Sequence, residues 1–362
     1  MLSNPPYGKS WKTDLERMGG KKGMNDPRFQ VEHGGDAEYS LVTRSSDGQM
    51  LFLANKLAKM KRNTPLGSRI AEVHKGSSLF TGDAGQGESN IRRWIIENDW
   101  LEAIVALPLN MFYNTGIATY VWVLTNRKPE HRKGRVQLID ATKRFQPLRK
   151  NLGKKNCELG EEDIDRICGV FQAFEETEES RIFDNEAFGY WKVTVDRPLR
   201  IVGADPNRAY KLAEIRELKA TGERGEPAPP VIRKVHKQGV AADPPRGLFE
   251  AKVDGRTAVV EYEPDTELRD TEQIPLQEEG GIEAFLRREV LPWAPDAWYN
   301  PRTVKTGYEI SFNRYFYQPE PMRPLAEIQA DILALETRTE GLLAEIIGGM
   351  APGLPEGRTR RV

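Results

Sequence analysis

Only two of the 362 residues are cysteine, Cys157 and Cys168. That excludes a disulfide framework and a cysteine-rich zinc site, and it fits a reducing cytoplasm. Histidine is nearly as scarce. His33, His74, His131 and His236 lie far apart, and none has metal-ligand spacing. No apolar run approaches the ~20 residues that a membrane span needs. The first residues, Met1-Leu2-Ser3-Asn4-Pro5-Pro6, lack the basic and apolar segments of a signal peptide. An excess of one charge is missing too, since 53 basic against 54 acidic residues leave a net −1. Wholesale nucleic-acid binding by a strongly basic chain is therefore not indicated, and only local basic patches remain. What is present is a chain with 38% hydrophobic and 30% charged residues. That is enough for one core with more polar appendages, and the length predicts about two domains.

Residues 1–46 are rich in Gly, Lys, Arg and Asp with little periodicity, which predicts a long surface loop. Residues 47–140 are the most regular. Asp47 is placed to cap a helix bearing Met50, Leu53, Leu57 and Met60 at spacings of three and four. Arg69–Val73 reads as a strand, followed by a Gly-rich segment from Thr81 to Gly87. Ser89 or Asn90 is placed to cap a second helix, with Ile91, Trp94 and Ile95 on one face. Ala103–Leu107 and Thr119–Leu124 read as buried strands. Helix, strand, helix, strand is the alternation of an α/β layer fold. Residues 108–117 are too short for a parallel crossover, so the last two strands are expected to run antiparallel, ending a mostly parallel sheet. Residues 141–283 are weaker in pattern: a helix is expected within Asp163–Phe174 and a strand within Phe188–Val195. The prolines at 227, 229, 230, 244 and 245 suggest a linker or flexible insertion. Order returns at 284–347, where Leu325, Ile328, Ile332, Leu335, Leu342 and Ile346 fit heptad a and d positions in a helix starting near Pro324. The expected division is 1–150, 151–283 and 284–362.

Asn4-Pro5-Pro6-Tyr7 is the sharpest chemical signal. Two prolines fix the backbone and remove two N–H donors. Carbonyls and an Asn amide are left close together, able to accept hydrogen bonds from an exocyclic amine, with a Tyr ring beside them to stack on a planar base. A polar turn with an exposed Tyr has the same sequence. The second signal is Leu107–Gly116, whose Phe112 and Tyr113 fall at the end of a sheet, where α/β proteins bind ligands; ordinary hairpin packing is the alternative. Gly82, Gly85 and Gly87 precede a helix but lack both the P-loop ending and the dinucleotide spacing. The basic runs Lys59–Arg62 and Arg149–Lys155 read as solvated faces or phosphate contacts.

Four stretches in order, Asn4–Lys9, Gly76–Gly82, Asn110–Thr119 and Gly307–Tyr317, resemble the modification (M) subunit of type I restriction–modification systems. The resemblance implies an S-adenosylmethionine-dependent DNA adenine-N6 methyltransferase. It implies that Asn4 and the Pro5 carbonyl bind the target amine, Pro6 shapes the loop, and Tyr7 stacks on a flipped adenine. Phe112 would form the opposite wall. It also implies DNA, a specificity (S) subunit, a restriction (R) subunit and a second M subunit as partners, and neither a metal nor a membrane. In the family the cofactor-binding half precedes the Asn-Pro-Pro-Tyr motif, whereas here three residues precede Asn4. The chain therefore resembles the C-terminal portion of an M subunit. The implied fold is the second half of a class I methyltransferase α/β sheet ending in an antiparallel hairpin, then a mixed linker region and a C-terminal helical module for subunit contact. The expected function is adenine methylation within the complex, with the isolated chain inactive. The alternative is a non-catalytic remnant or interaction module that binds the S subunit.

Overall fold

A computed structural model of the chain describes residues 1–113, 115–225, 227–317 and 323–348. It divides into two units, Met1–Phe316 and Tyr317 onward. The first opens with β1 (Leu2–Ser3), α1 (Lys12–Arg17), α2 (Gly20–Gly23), β2 (Gln30–His33), β3 (Asp36–Ser40), α3 (Gln49–Ala58) and β4 (Arg69–Lys75). It continues through α4 (Gly87–Glu97), β5 (Leu101–Ala106), β6 (Thr119–Thr125), β7 (Arg135–Asp140), β8 (Gln146–Leu152), β9 (Lys155–Glu158), α5 (Glu161–Ala173), β10 (Ser180–Asp184) and β11 (Gly189–Asp196). Then come α6 (Leu212–Thr221), β12 (Ile232–Val235), β13 (Phe249–Val253), β14 (Arg256–Tyr262) and β15 (Asp270–Pro275). The unit closes with α7 (Gly281–Phe285), β16 (Trp298–Tyr299), β17 (Lys305–Tyr308) and α8 (Phe312–Phe316); α9 (Leu325–Gly348) belongs to the second unit.

The main sheet has the order β1-β4-β6-β5-β7-β10. As expected from the short 108–117 connection, β5 and β6 are antiparallel. The sheet is not mostly parallel, however. Only β1–β4 and β5–β7 are parallel pairs, and it runs on past β5 through β7 to β10. β6 alternates faces: Tyr120, Trp122 and Leu124 enter the main core with Met50, Leu53 and Leu57 of α3 and Ile91 and Ile95 of α4. On the opposite face, Val105, Leu107 and Ile139 pack with Val170, Ile167 and Phe171 of α5.

Local readings of residues 47–125 are close to the structure. Asp47 takes the N–H of Gln49 at 3.2 Å, one position before the cap. The second helix starts at Gly87, ahead of Ser89 and Asn90. Those two side chains instead make distant ties: Ser89 accepts from the Tyr308 N–H at 3.2 Å and Asn90 donates to the Ser40 carbonyl at 2.8 Å.

Two expectations are corrected. Residues 1–46 are not a surface loop: Leu15, Met24, Phe29, Tyr39 and Leu41 are buried in the main core. Their spacing has no period because each comes from a different short element. The Pro-punctuated stretch is also structured. β12, β14 and β13 form a three-stranded sheet, and Leu199, Ile201, Tyr210, Ile215 and Val231 make a separate apolar cluster. No described helix is long and apolar enough to cross a membrane.

Candidate functional site

Ser3 pairs with Glu72, Lys75 with Thr119, and Tyr120 with Ala106. This register brings the C-terminal ends of β1, β4 and β5 and the N-terminal end of β6 to one edge of the sheet. The segments leaving that edge are 4–10, 76–86 and 107–118. They carry three of the four stretches singled out above. Ligands of α/β proteins collect at such strand ends.

Asn4 and Pro6 are exposed, Pro5 is buried, and Tyr7 is half-buried. The Tyr7 hydroxyl donates to Asn4 Oδ1. Its pKa is pushed up to about 12, first by burial and then by the Glu72 charge, so it remains a donor at neutral pH. Gly8 follows with φ +63°, a left-handed turn that brings the backbone over Lys75 Nζ. On the other loop, Phe112 is half-buried against the cluster of Val105, Leu107 and Ile139. Tyr113 is 67% exposed. Asn114 lies outside the described residues.

Beneath β1 lies a polar network that the sequence reading missed. The core-facing positions of β4 are Ile70, Glu72 and His74, all fully buried. Lys56 of α3 reaches in to bond both Ser3 Oγ and the Glu72 carboxylate. His74 Nε2 stands 3.4 Å from Glu72 Oε1. Lys75 pairs with Asp47 at 2.7 Å, and Gln49 Oε1 takes the Lys75 N–H at 3.2 Å. Burial holds the His74 pKa down to about 3, helped by the Lys56 charge and opposed by Asp47. Burial raises the Glu72 pKa, opposed by the bonds from Lys56 and Ser3. A two-residue strand has few ladder bonds, and the contact of Lys56 with Ser3 adds to the bonds of Met1 with Arg69 and Ala71 in fastening the backbone that leads into Asn4. The available signal was a strand whose every second residue, read from Ile70, turns polar.

Arg92 was missed as well. Fully buried in α4, it donates to the carbonyls of Ser78 at 3.0 Å, Gly82 at 3.2 Å and Tyr308 at 2.6 Å. It thereby joins the Gly76–Gly82 stretch to the Gly307–Tyr317 stretch. In the Gly-rich loop a Cβ on Gly82 would meet Glu88 Cβ at 2.8 Å, and one on Gly87 would meet the Val42 carbonyl oxygen at 2.0 Å, so these two glycines are needed where the loop packs against the chain's own atoms. Among the described residues no cluster of His, Cys, Asp and Glu is suited to a metal ion.

The fold is that of an α/β protein whose loops 4–10, 76–86 and 107–118 gather at one edge of the main sheet. The chain belongs to the N-6 DNA methylase family, whose model matches residues 1–193. It is 38% identical over 180 residues to the type I restriction enzyme MjaIX methylase subunit of Methanocaldococcus jannaschii, covering 49% of this chain and 28% of that one. It is 37% identical over 121 residues to the MjaVII methylase subunit of the same organism, covering 33% and 20%. The chain thus spans between 20% and 28% of the length of these two relatives. Among solved structures it resembles the type I restriction-modification system methyltransferase subunit from Streptococcus thermophilus. There the identity is 26%, the TM-score 0.39, and the match covers 51% of this chain and 34% of that one. The resemblance read from the four stretches is borne out at the level of the family.

Proposed function

We propose that this chain is the base-holding part of a type I DNA adenine-N6 methyltransferase subunit, the second half of a class I methyltransferase sheet with its C-terminal appendages. The observation that carries the reading is Asn4-Pro5-Pro6-Tyr7 at the end of β1, on the same sheet edge as the Phe112 loop. Asn4 Oδ1 and the Pro5 carbonyl accept from the N6 amine. Tyr7 stacks on the extruded base, Pro6 keeps the loop rigid, and Phe112 closes the far side. Extrusion is required because the amine is otherwise stacked and paired in the duplex. The chain's share of the work is orientation of the amine, a positioning effect. S-adenosylmethionine supplies the methyl group in this reading.

The test begins with the isolated chain. Calorimetry is expected to detect no micromolar binding of S-adenosylmethionine, and labelled-methyl assays no transfer to DNA. Joined to a cofactor-binding half, the chain is expected to label adenine N6. Labelling of cytosine instead, or micromolar binding by the isolated chain, overturns the reading.

The C-terminal helix supports a complex with an S subunit, within an assembly that also holds an R subunit, a second M subunit and DNA. α9 begins at Leu325, one residue after Pro324, and its Leu325, Ile328, Ile332 and Leu335 are exposed. The side chains of Leu342 and Ile346 lie outside the described residues. A narrow apolar seam of this kind suits a partner helix. Changing Ile332 and Leu335 to Asp is expected to abolish co-purification with the S subunit while the melting temperature stays unchanged. A folded double variant that still co-purifies would exclude α9 as the docking helix.

A further inference from the structure

Between Asp140 and Glu158 the chain carries Lys143, Arg144, Arg149, Lys150, Lys154 and Lys155 and no acidic residue. The segment folds largely into the β8–β9 hairpin, a two-stranded sheet of its own that turns at Gly153. Arg144 pairs with Glu179, and Lys155 lies 3.7 Å from Glu158. Lys143, Arg149, Lys150 and Lys154 are exposed, and none forms an ion pair with a described residue. A basic run alone is ordinarily a solvated face. This one is fastened to the sheet edge that carries Asn4–Tyr7. The Asn156 N–H donates to the Asn110 carbonyl at 3.1 Å, and the buried Cys157 thiol donates to the Leu109 carbonyl at 3.2 Å. Both acceptors belong to the loop that holds Phe112 and Tyr113. The free cations therefore stand on a ribbon rooted beside the Asn4–Tyr7 edge.

We propose that the β8–β9 hairpin is a phosphate-contacting arm that grips the backbone of duplex DNA next to the nucleotide held at Asn4–Tyr7. The inference rests on the base-holding reading above. Mutual repulsion of four unpaired cations is relieved by a polyanion with closely spaced charges. A two-stranded ribbon also has the width to enter a major groove. Arg149 and Lys150 lie where the register shifts between Pro147 and Leu152, and both are exposed on the ribbon.

The test is anisotropy of a fluorescent duplex titrated with the full chain between about 50 and 200 mM salt, where each neutralised phosphate adds about 0.9 to the slope of log K against log salt. Replacing Lys143, Arg149, Lys150 and Lys154 by Gln is expected to reduce that slope by about 3 to 4. Arg149→Gln with Lys150→Gln, a smaller change with less risk to the fold, should reduce it by about 2. A control carrying Arg216→Gln, Lys237→Gln, Lys252→Gln and Arg256→Gln removes the same charge from exposed positions elsewhere and should leave the slope nearly intact. Equal losses in the hairpin and control variants would reduce the effect to net charge and overturn the proposal. An unchanged slope in the hairpin variants would overturn it too, with the base-holding reading untouched. Equal retention of the chain by polyglutamate would assign the arm to an acidic protein. A wild-type chain that binds no duplex would overturn the arm, and the base-holding reading would then be judged on Asn4 alone.

Discussion

Asn4→Ala, in a protein joining this chain to a cofactor-binding half, is expected to lower single-turnover methyl transfer by at least about 10²–10³-fold, the scale for losing one preorganised polar group at a reacting centre. Binding of S-adenosylmethionine should be unchanged. Alanine keeps the backbone and the Pro5 carbonyl but removes the amide oxygen that, in the proposed function, orients the amine. It also frees the Tyr7 hydroxyl, which now donates to Asn4 Oδ1. The aromatic positions separate holding from orienting. Tyr7→Ala should weaken retention of an extruded base by about 1–3 kcal/mol, the range for base–aromatic stacking, read from the fluorescence of 2-aminopurine at the target position. Phe112→Ala should do the same. Phe112 also packs on Val105, Leu107 and Ile139, so its loss should lower the melting temperature as well. If Phe112→Ala spares transfer and Tyr113→Ala cripples it, the exposed ring is the wall. Full transfer by Asn4→Ala would remove the motif from the chemistry.

How far the sequence reveals this arrangement depends on the range of the contacts. The helix bearing Met50, Leu53 and Leu57, and the buried strands ending at Ala106 and Thr125, are legible because their periods are local. The antiparallel β5–β6 pair follows from the length of one connection. The burial of Leu15, Met24, Phe29, Tyr39 and Leu41 is not legible, since isolated apolar residues on short elements have no period to detect. Pro227–Pro230 resembles a linker because its strands are short and pair across long gaps, as Ile232 does with Tyr262. At the site, Asn4–Tyr7 stands out by its unusual residue types. Lys56, Glu72 and His74 do not, because an acidic residue and a histidine within a strand look like an exposed face until the sheet shows which side is covered. Arg92 is hidden in the same way, as one of two adjacent arginines on α4.

That hidden network exposes stability to a single substitution. Lys56→Ala leaves the Glu72 carboxylate fully buried without its counter-charge, and loss of one member of a buried pair costs about 3–5 kcal/mol. Urea denaturation at pH 7 should show that loss. Lys56→Met combined with Glu72→Leu should recover most of it, because well-packed apolar replacements remove the desolvation penalty along with the attraction. Because Met keeps an unbranched apolar stem at position 56, a double variant as unstable as Lys56→Ala would mean that the polar contacts of Lys56 with Glu72 and Ser3, rather than its stem, support the fold. The same network gives stability a pH dependence whose sign can be worked out. His74 has a folded pKa of about 3, below its ordinary value of 6.5. Its contribution is therefore fully present above pH 6.5 and is lost as the pH falls toward 3. Glu72 acts in the opposite sense. Its raised folded pKa means that acidification from that value toward the ordinary 4.5 adds stability. The net curve of the wild type mixes the two, so the informative quantity is wild type minus His74→Leu. That difference should shrink on acidification by up to about 1.4 kcal/mol per pH unit below pH 6.5. A difference that does not change with pH would mean the imidazole titrates normally, and that water reaches the space under β1.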